Sequence, residues 1–308
     1  MSFDPVAIRR KLHAAPELSR EEHATSAFVA ELLEGWGYDV ARGVGGTGVV
    51  ATLRNGAGER IIGLRADMDA LPITEATGAP YASAHPGVMH ACGHDGHMSI
   101  LLAAAKELAE TRDFSGTVRL VFQPAEEVGG AVEMLADGLF ERFPVDVIFA
   151  MHNWPNIPAG EFRFLAGPTM ASVDLVIITI TGQGGHGARP HETVDPIVAA
   201  SSLVLALQTI VSRNVDPLET AVITVGMIHG GTLPNVIPDK VELQITTRAF
   251  TDAVRDRVRA RIKVLAEAHA ASYGATADVF HPPGFPALVN HDAETAFDQG
   301  EVLSVGAD

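Results

Sequence analysis

Apolar residues fall along this chain in two rhythms, short unbroken runs and longer stretches of helical period. Val49–Leu53, Ile61–Leu64, Thr117–Phe122 and Val145–Ala150 are brief apolar runs bounded by turn residues, and they read as buried strands. Between the second and third, Leu101, Leu102, Ala105 and Leu108 recur at helical spacing, which predicts a helix over Met98–Glu110. Ser19-Arg20-Glu21-Glu22 has the form of a capping box, and the amphipathic segment through Phe28, Leu32 and Leu33 to Gly35 and Gly37 predicts an opening helix. Strands alternating with helices point to an α/β domain over residues 1–170.

The character changes after Gly167-Pro168. A strand over Val173–Thr181 leads to Asp195-Pro196, an N-cap followed by proline at the first helical position, and a helix to about Val211. Strands over Ala221–Ile228 and Lys240–Thr247, a long charged helix over Asp252–Ser272 and a strand over Thr276–Phe280 complete the series. This β-α-β-β-α-β order predicts an inserted α+β domain of split-βαβ, ferredoxin-like form over residues 171–281, with residues 282–308 beginning a return to the first domain. Its helices are expected on one side of the sheet. The other face and an edge are then free for pairing, which predicts a homodimer.

Candidate chemistry gathers at strand ends. Asp67 and Asp69 follow the second run, Glu126 and Glu127 the third, and His152 the fourth. In an open α/β sheet the functional crevice lies at the carboxyl ends of the strands, so these groups are expected to converge. Between them, residues 89–97 hold the only cysteine and three of the thirteen histidines. Cys92 and His94 stand two apart, a spacing that would turn them away from each other on a helix, so a loop has to present them to a shared ion. Placement at a helix N-terminus favours the thiolate, the form that binds metal. Taken alone, the pair is equally a small buried cysteine beside a histidine-rich turn; three convergent strand ends decide for a metal site. Adjacent carboxylates such as Glu126 and Glu127 suit a division in which one ligates and the other moves a proton, without showing which does which.

Two glycine patterns are decoys. Gly43–Gly48 and Gly182–Gly187 fit or nearly fit a dinucleotide fingerprint, but neither stands between a strand and a helix N-terminus. Composition narrows the partners. A net charge of -16 and a pI near 5.2 argue against nucleic acid or an anionic membrane and leave small molecules. One cysteine excludes an internal disulfide framework, no apolar run approaches a membrane span, and the first residues lack a signal-peptide core, so a cytoplasmic location is expected.

The segments LHAAPELSREE, LRADMDALPI, MHACGHDGH, QPAEE, MHNWP, GQGGHGARPHETVDPI and GGTLPNVIPD, in this order, resemble the hippurate hydrolase and N-acyl-amino-acid amidohydrolase branch of the aminoacylase/carboxypeptidase-type di-metal peptidases. The resemblance implies Cys92, His94, Glu127 and His152 as ligands of divalent metal, Glu126 as general base and Asp69 as support for a metal-binding group. It implies further that His186 polarises the scissile carbonyl, often across a dimer interface, and that Asn235 and Arg248 clamp the substrate's free carboxylate. The family's ions are commonly manganese, zinc, nickel or cobalt, and a thiolate with two imidazoles suits the softer ones. His13, His90, His97 and His191 are expected in structural or hydrogen-bonding roles.

The family pattern continues to a glycine-acid-acid-phenylalanine segment and a final histidine ligand, which this sequence, ending at Asp308, does not contain. The first domain is therefore expected to be incomplete, with one tightly held ion where the family holds two. The expected reaction is metal-dependent hydrolysis of an N-acyl amino acid; the alternatives are a catalytically impaired dimerising homologue and a dipeptidase of the same family.

Overall fold

The apolar runs pair into two main sheets, one in each of two compact units that meet in sequence at Ala159 and Gly160. The computed structural model describes residues 3–305. In the first unit, helix α1 (Pro5–Ala14) is started by Asp4, whose carboxylate accepts from the Val6 and Ala7 amides, with Pro5 at the first helical position. The hydrophobic pattern alone gave no sign of α1. Helix α2 (His23–Gly35) forms as expected, but without the capping box. Its first-turn amides at Ala24 and Thr25 donate to the Glu17 carboxylate at 3.1 and 2.7 Å, while Ser19 and Glu22 turn to other partners.

Strands β1 (Asp39–Val44) and β2 (Gly48–Asn55) form a hairpin around one glycine-rich decoy, followed by β3 (Ile61–Asp67). Helix α3 (His94–Thr111), β4 (Gly116–Gln123), a 3-10 turn at Glu126–Val128, short helices α4 (Gly130–Ala136) and α5 (Leu139–Arg142), and β5 (Val147–Ala150) complete the unit. The sheet order is β1-β2-β4-β3-β5, antiparallel on the β1 side and parallel across β4, β3 and β5. Alternate residues serve two cores. Val49, Ala51, Leu120 and Phe122 pack with Val29, Leu33, Met98 and Leu102 of α2 and α3, whereas Val50 and Val121 meet Met134 and Leu139 of α4 and α5. In the parallel register Asp67 lies opposite Gln123, and Arg65 opposite Ala150, so the chain leaves β3, β4 and β5 at one end of the sheet.

The second unit opens with β6 (Gly167–Met170), β7 (Asp174–Thr181) and the two-residue β8 (Gly185–His186). Helix α6 (Pro196–Asn214) is capped by Asp195, which accepts from the Ile197 and Val198 amides. It runs to Asn214, past the expected end near Val211. Then come β9 (Ala221–Gly230), β10 (Val236–Ile237), β11 (Lys240–Ala249), α7 (Asp252–Ser272), β12 (Thr276–Phe280), β13 (Leu288–Asn290) and α8 (Asp292–Val305). The order β12-β7-β11-β9, antiparallel throughout, is the ferredoxin-like arrangement the sequence predicts. One face carries α6 and α7 over Val176, Ile178, Ile180, Leu243 and Ile245. By length and composition α6 could cross a membrane, contrary to the reading of the sequence, but its Ala199, Leu203, Leu207 and Ile210 are buried in this core. The stretches 160–170 and 282–305, placed by pattern with the first domain, have their contacts within the second unit, where β13 pairs with β6.

Candidate metal centre

Six of the predicted site residues meet at the carboxyl end of the first sheet. Asp69, two residues beyond the end of β3 and fully buried, gathers them. Its Oδ2 accepts from Ser19 Oγ at 2.7 Å and from the Glu127 amide at 3.2 Å, and its backbone carbonyl accepts from His94 Nδ1 at 2.8 Å. His94 opens α3, and Cys92 stands before it on the loop. Gly93 between them has φ +89°, and a Cβ there would fall 2.3 Å from the Asn153 side chain, so the turn from thiol to imidazole requires glycine.

With Nδ1 donating to Asp69, His94 directs Nε2 into a ring of carboxylates: Asp67 Oδ2 at 3.7 Å, Glu127 Oε1 at 3.9 Å and Glu126 Oε2 at 4.0 Å. On the other side His152 donates through Nδ1 to the Asn153 carbonyl and turns Nε2 to the Cys92 sulfur, 3.4 Å away. Candidate ligand atoms of Cys92, His94 and His152 lie within 4.8 Å of one another, and so do those of His94, Glu126 and Glu127. His94 belongs to both sets.

Two observations fit this cluster to a divalent cation. His94 Nε2 and Glu127 Oε1 are buried and find no hydrogen-bond partner, a rare condition for interior polar atoms, and they face each other. The electrostatics also favour positive charge. Burial opposes a charged His94, yet the hydrogen bond to Asp69, the Cys92 thiol and the charges of Asp67 and Asp69 raise its pKa to about 11. Burial similarly opposes ionisation of Asp67, but His97 and Arg65 hold it well below the usual carboxylate range. Glu126 behaves differently: burial, then the adjacent charge of Glu127, raises its proton affinity.

Asp67 and His97 join the site without having been assigned roles at the metal. His97 Nδ1 donates to Asp67 Oδ1 at 2.7 Å, and its Nε2 meets Asn153 twice, at the side-chain oxygen and at the backbone amide 3.1 Å away. Arg65 holds the other oxygen of Asp67 at 2.7 Å and reaches Gln123 at the end of β4. The signal was in the spacing. Asp67 and Asp69 alternate along an extended segment and share a face, while His94 and His97 are three apart on a helix. The expected structural roles of the other histidines are partly met. His13 bonds Asp95 at 2.9 Å and Glu75 at 3.2 Å, and His191 is exposed beside Glu192, whereas His90 is buried with both ring nitrogens unpartnered.

His186, Asn235 and Arg248 belong to the second unit. His186 on β8 pairs with Val236 on β10, and the Gly187 amide donates to the Asn235 carbonyl at 2.8 Å, so two of the three adjoin. Arg248 on β11 is engaged with its own strand, donating to Thr246 Oγ1 and, at 2.9 Å, to the Thr247 carbonyl.

Residues 63–303 match Peptidase family M20/M25/M40. N-acetyl-L-cysteine deacetylase of Bacillus subtilis is 46% identical over 292 residues, which cover 94% of this chain and 70% of that protein. Hippurate hydrolase of Campylobacter jejuni is 49% identical over 243 residues, covering 79% of this chain and 63% of the relative. The chain thus spans roughly two thirds of the length of these curated relatives. Among solved structures, a dinuclear metal-binding peptidase of the M20 family from Bacillus subtilis superposes with a TM-score of 0.84 at 36% identity, covering 98% of this chain and 79% of that one.

Proposed function

The chain belongs to peptidase family M20/M25/M40, and from that premise we propose that it hydrolyses the amide bond of N-acyl amino acids, releasing a carboxylic acid and the free amino acid. The observation that carries the reading is the pair of buried, unpartnered ligand atoms, His94 Nε2 and Glu127 Oε1, beside a carboxylate of raised proton affinity. Cys92, His94, Glu127 and His152 hold divalent metal; manganese, zinc, nickel and cobalt are the candidate ions, and a thiolate with two imidazoles suits the softer of them without choosing one. Bound there, the metal polarises the amide carbonyl and acidifies a water.

The chain's own groups do the rest. Glu126 accepts a proton from the attacking water and delivers it to the departing amine nitrogen, a task for which a carboxylate of raised pKa is suited at neutral pH. Asp69 fixes the His94 tautomer through its carbonyl and the Glu127 backbone through its carboxylate, so one residue orients two ligands. To His186 we assign the developing oxyanion, and to Asn235 and Arg248 the substrate carboxylate, for which a guanidinium offers a bidentate partner. The ferredoxin-like unit pairs two copies into a homodimer through the edge strand β9, where Val222, Met227 and Ile228 are exposed.

The test is amino-acid release from hippurate and from N-acetyl amino acids after chelation and after return of each metal. Chelation is expected to abolish turnover and one or more of the four ions to restore it. Turnover indifferent to chelation, or cleavage of dipeptides with none of N-acyl amino acids, contradicts the proposal. Sedimentation of the same protein checks the dimer, for which a monomer at high micromolar concentration is the contrary result.

A further inference from the structure

The LSREE segment, whose serine and glutamate form no capping box, has a different use in the structure. Glu22 is a carboxylate with no solvent exposure. Its Oε2 accepts from Thr47 Oγ1 at 2.6 Å, and its Oε1 accepts from the backbone amide of Ala125 at 2.7 Å. Ala125 is the residue immediately before the Glu126–Glu127 pair, and it holds φ +50°, ψ +41°, the left-handed conformation that a side chain with a Cβ disfavours. That conformation turns the chain out of β4 and into the 3-10 turn carrying both carboxylates. The carbonyl of Ala125 is fixed as well, accepting from the Gly130 amide at 2.7 Å. Gly130 stands so close that a Cβ there would fall 1.9 Å from the Pro124 carbonyl oxygen.

We propose that Glu22 is a positioning residue for the Glu126–Glu127 pair: its buried carboxylate holds the left-handed Ala125 amide and so sets where the proton carrier and the metal ligand stand. The proposal rests on reading Glu126 as the base and Glu127 as a ligand. A strained backbone conformation persists only where its surroundings hold it, and here a buried side-chain oxygen does so from the connection before α2, 103 residues earlier in sequence. Ser19 of the same segment reaches the site separately by donating to Asp69, so the connection between α1 and α2 fastens two of the three strand-end loops.

Cobalt(II) titration, followed by its visible spectrum and without substrate, tests this on Glu22→Ala, Glu22→Gln, Glu22→Asp and Glu22→Ala/Ala125→Gly, with Leu33→Ala of α2 as a control for general loss of stability. Glu22→Ala is expected to bind cobalt about 10- to 100-fold more weakly and with an altered spectrum, the range seen when support for metal ligands is removed. It should also lower kcat at least about tenfold with KM changed less than about threefold, the pattern of a lost transition-state interaction. Glu22→Gln keeps an oxygen for Ala125 and an amide for Thr47 and is expected within about threefold of the parent in both readouts. Glycine at 125 tolerates the left-handed turn, so Ala125→Gly should recover part of the loss. If Glu22→Ala does not fold, Glu22→Asp, one methylene shorter, decides, with an expected loss of at least about tenfold in cobalt affinity.

The proposal is overturned by a folded Glu22→Ala, or failing that Glu22→Asp, with parental cobalt affinity and spectrum, by Glu22→Gln as impaired as Glu22→Ala, or by Leu33→Ala weakening cobalt equally. A parent protein that binds cobalt but cleaves no N-acyl amino acid sinks the functional proposal alone and leaves Glu22 to be judged by binding. One that binds no cobalt at all overturns both.

Discussion

The two units differ in how many polar side-chain atoms they bury unpartnered: among the described residues the second has one, His281 Nδ1, and the first has six. The ferredoxin-like unit has a core of aliphatic side chains, and its most deeply buried ion pair, Asp174 with Arg255, is closed by two hydrogen bonds of 2.7 Å. The first unit buries Asp67, Asp69, His94, Asp95 and His97 together and leaves ligand atoms of His94 and Glu127 without partners. Burying polar atoms unsatisfied costs stability, so their retention at one end of a sheet marks a place built for something other than packing. The comparison separates residues that hold a fold from residues that a fold holds in place.

Substitutions sharpen the contrast. The largest effect is expected from Glu126→Gln, which removes the proton carrier and keeps its shape: kcat for N-acyl amino acids should fall by roughly 10²- to 10⁴-fold, with metal content and melting temperature unchanged. Loss of metal in this variant would show that Glu126 and Glu127 have been assigned in the wrong order. In the second unit, Asp174→Ala strands a mostly buried guanidinium and should cost about 3–5 kcal/mol in unfolding free energy while leaving cobalt affinity alone. Weakened cobalt binding there would end the separation of the two roles. Leu203→Ala, at a position with no exposure, should cost about 2–5 kcal/mol by the same assay and again spare the metal. Asp69→Asn is the smallest change in energy and falls on the metal, with an expected loss of about 10- to 100-fold in affinity measured by calorimetry. A parental affinity would show that the Asp69 carboxylate does not orient Glu127.

How much the sequence disclosed follows the same division. The second unit was legible because its signals are local: Asp195-Pro196 announces α6, and β11 alternates buried and partly exposed residues along nearly its whole length. Asp4-Pro5 carries the same signature for α1, but charged residues interrupt the helix and hide its apolar face. Strand β1 has no apolar run to mark it, because only Val44 of its six residues is buried. The convergence of Asp69, Glu126, Glu127 and His152 could be read from strand ends and that of Cys92 and His94 from their shared segment, whereas the division into ligands and base comes only from the family resemblance. His94 opens α3, as its expected place at a helix N-terminus requires, and the helix begins four residues before Met98 because His94-Asp95-Gly96-His97 carries no apolar period to announce its first turn. The capping-box reading of Ser19 and Glu22 went astray for a deeper reason. Their partners, Asp69 and Ala125, lie 50 and 103 residues away, and no local pattern encodes a contact across such distances.

The central claim is that one cluster at the carboxyl end of the first sheet holds the metal. Anomalous diffraction at the cobalt absorption edge, from crystals of the cobalt-loaded protein, tests it most directly. A peak bounded by Cys92, His94, Glu127 and His152 is the predicted result; its absence there at saturating cobalt, or a dominant peak anywhere else in the chain, would contradict the account.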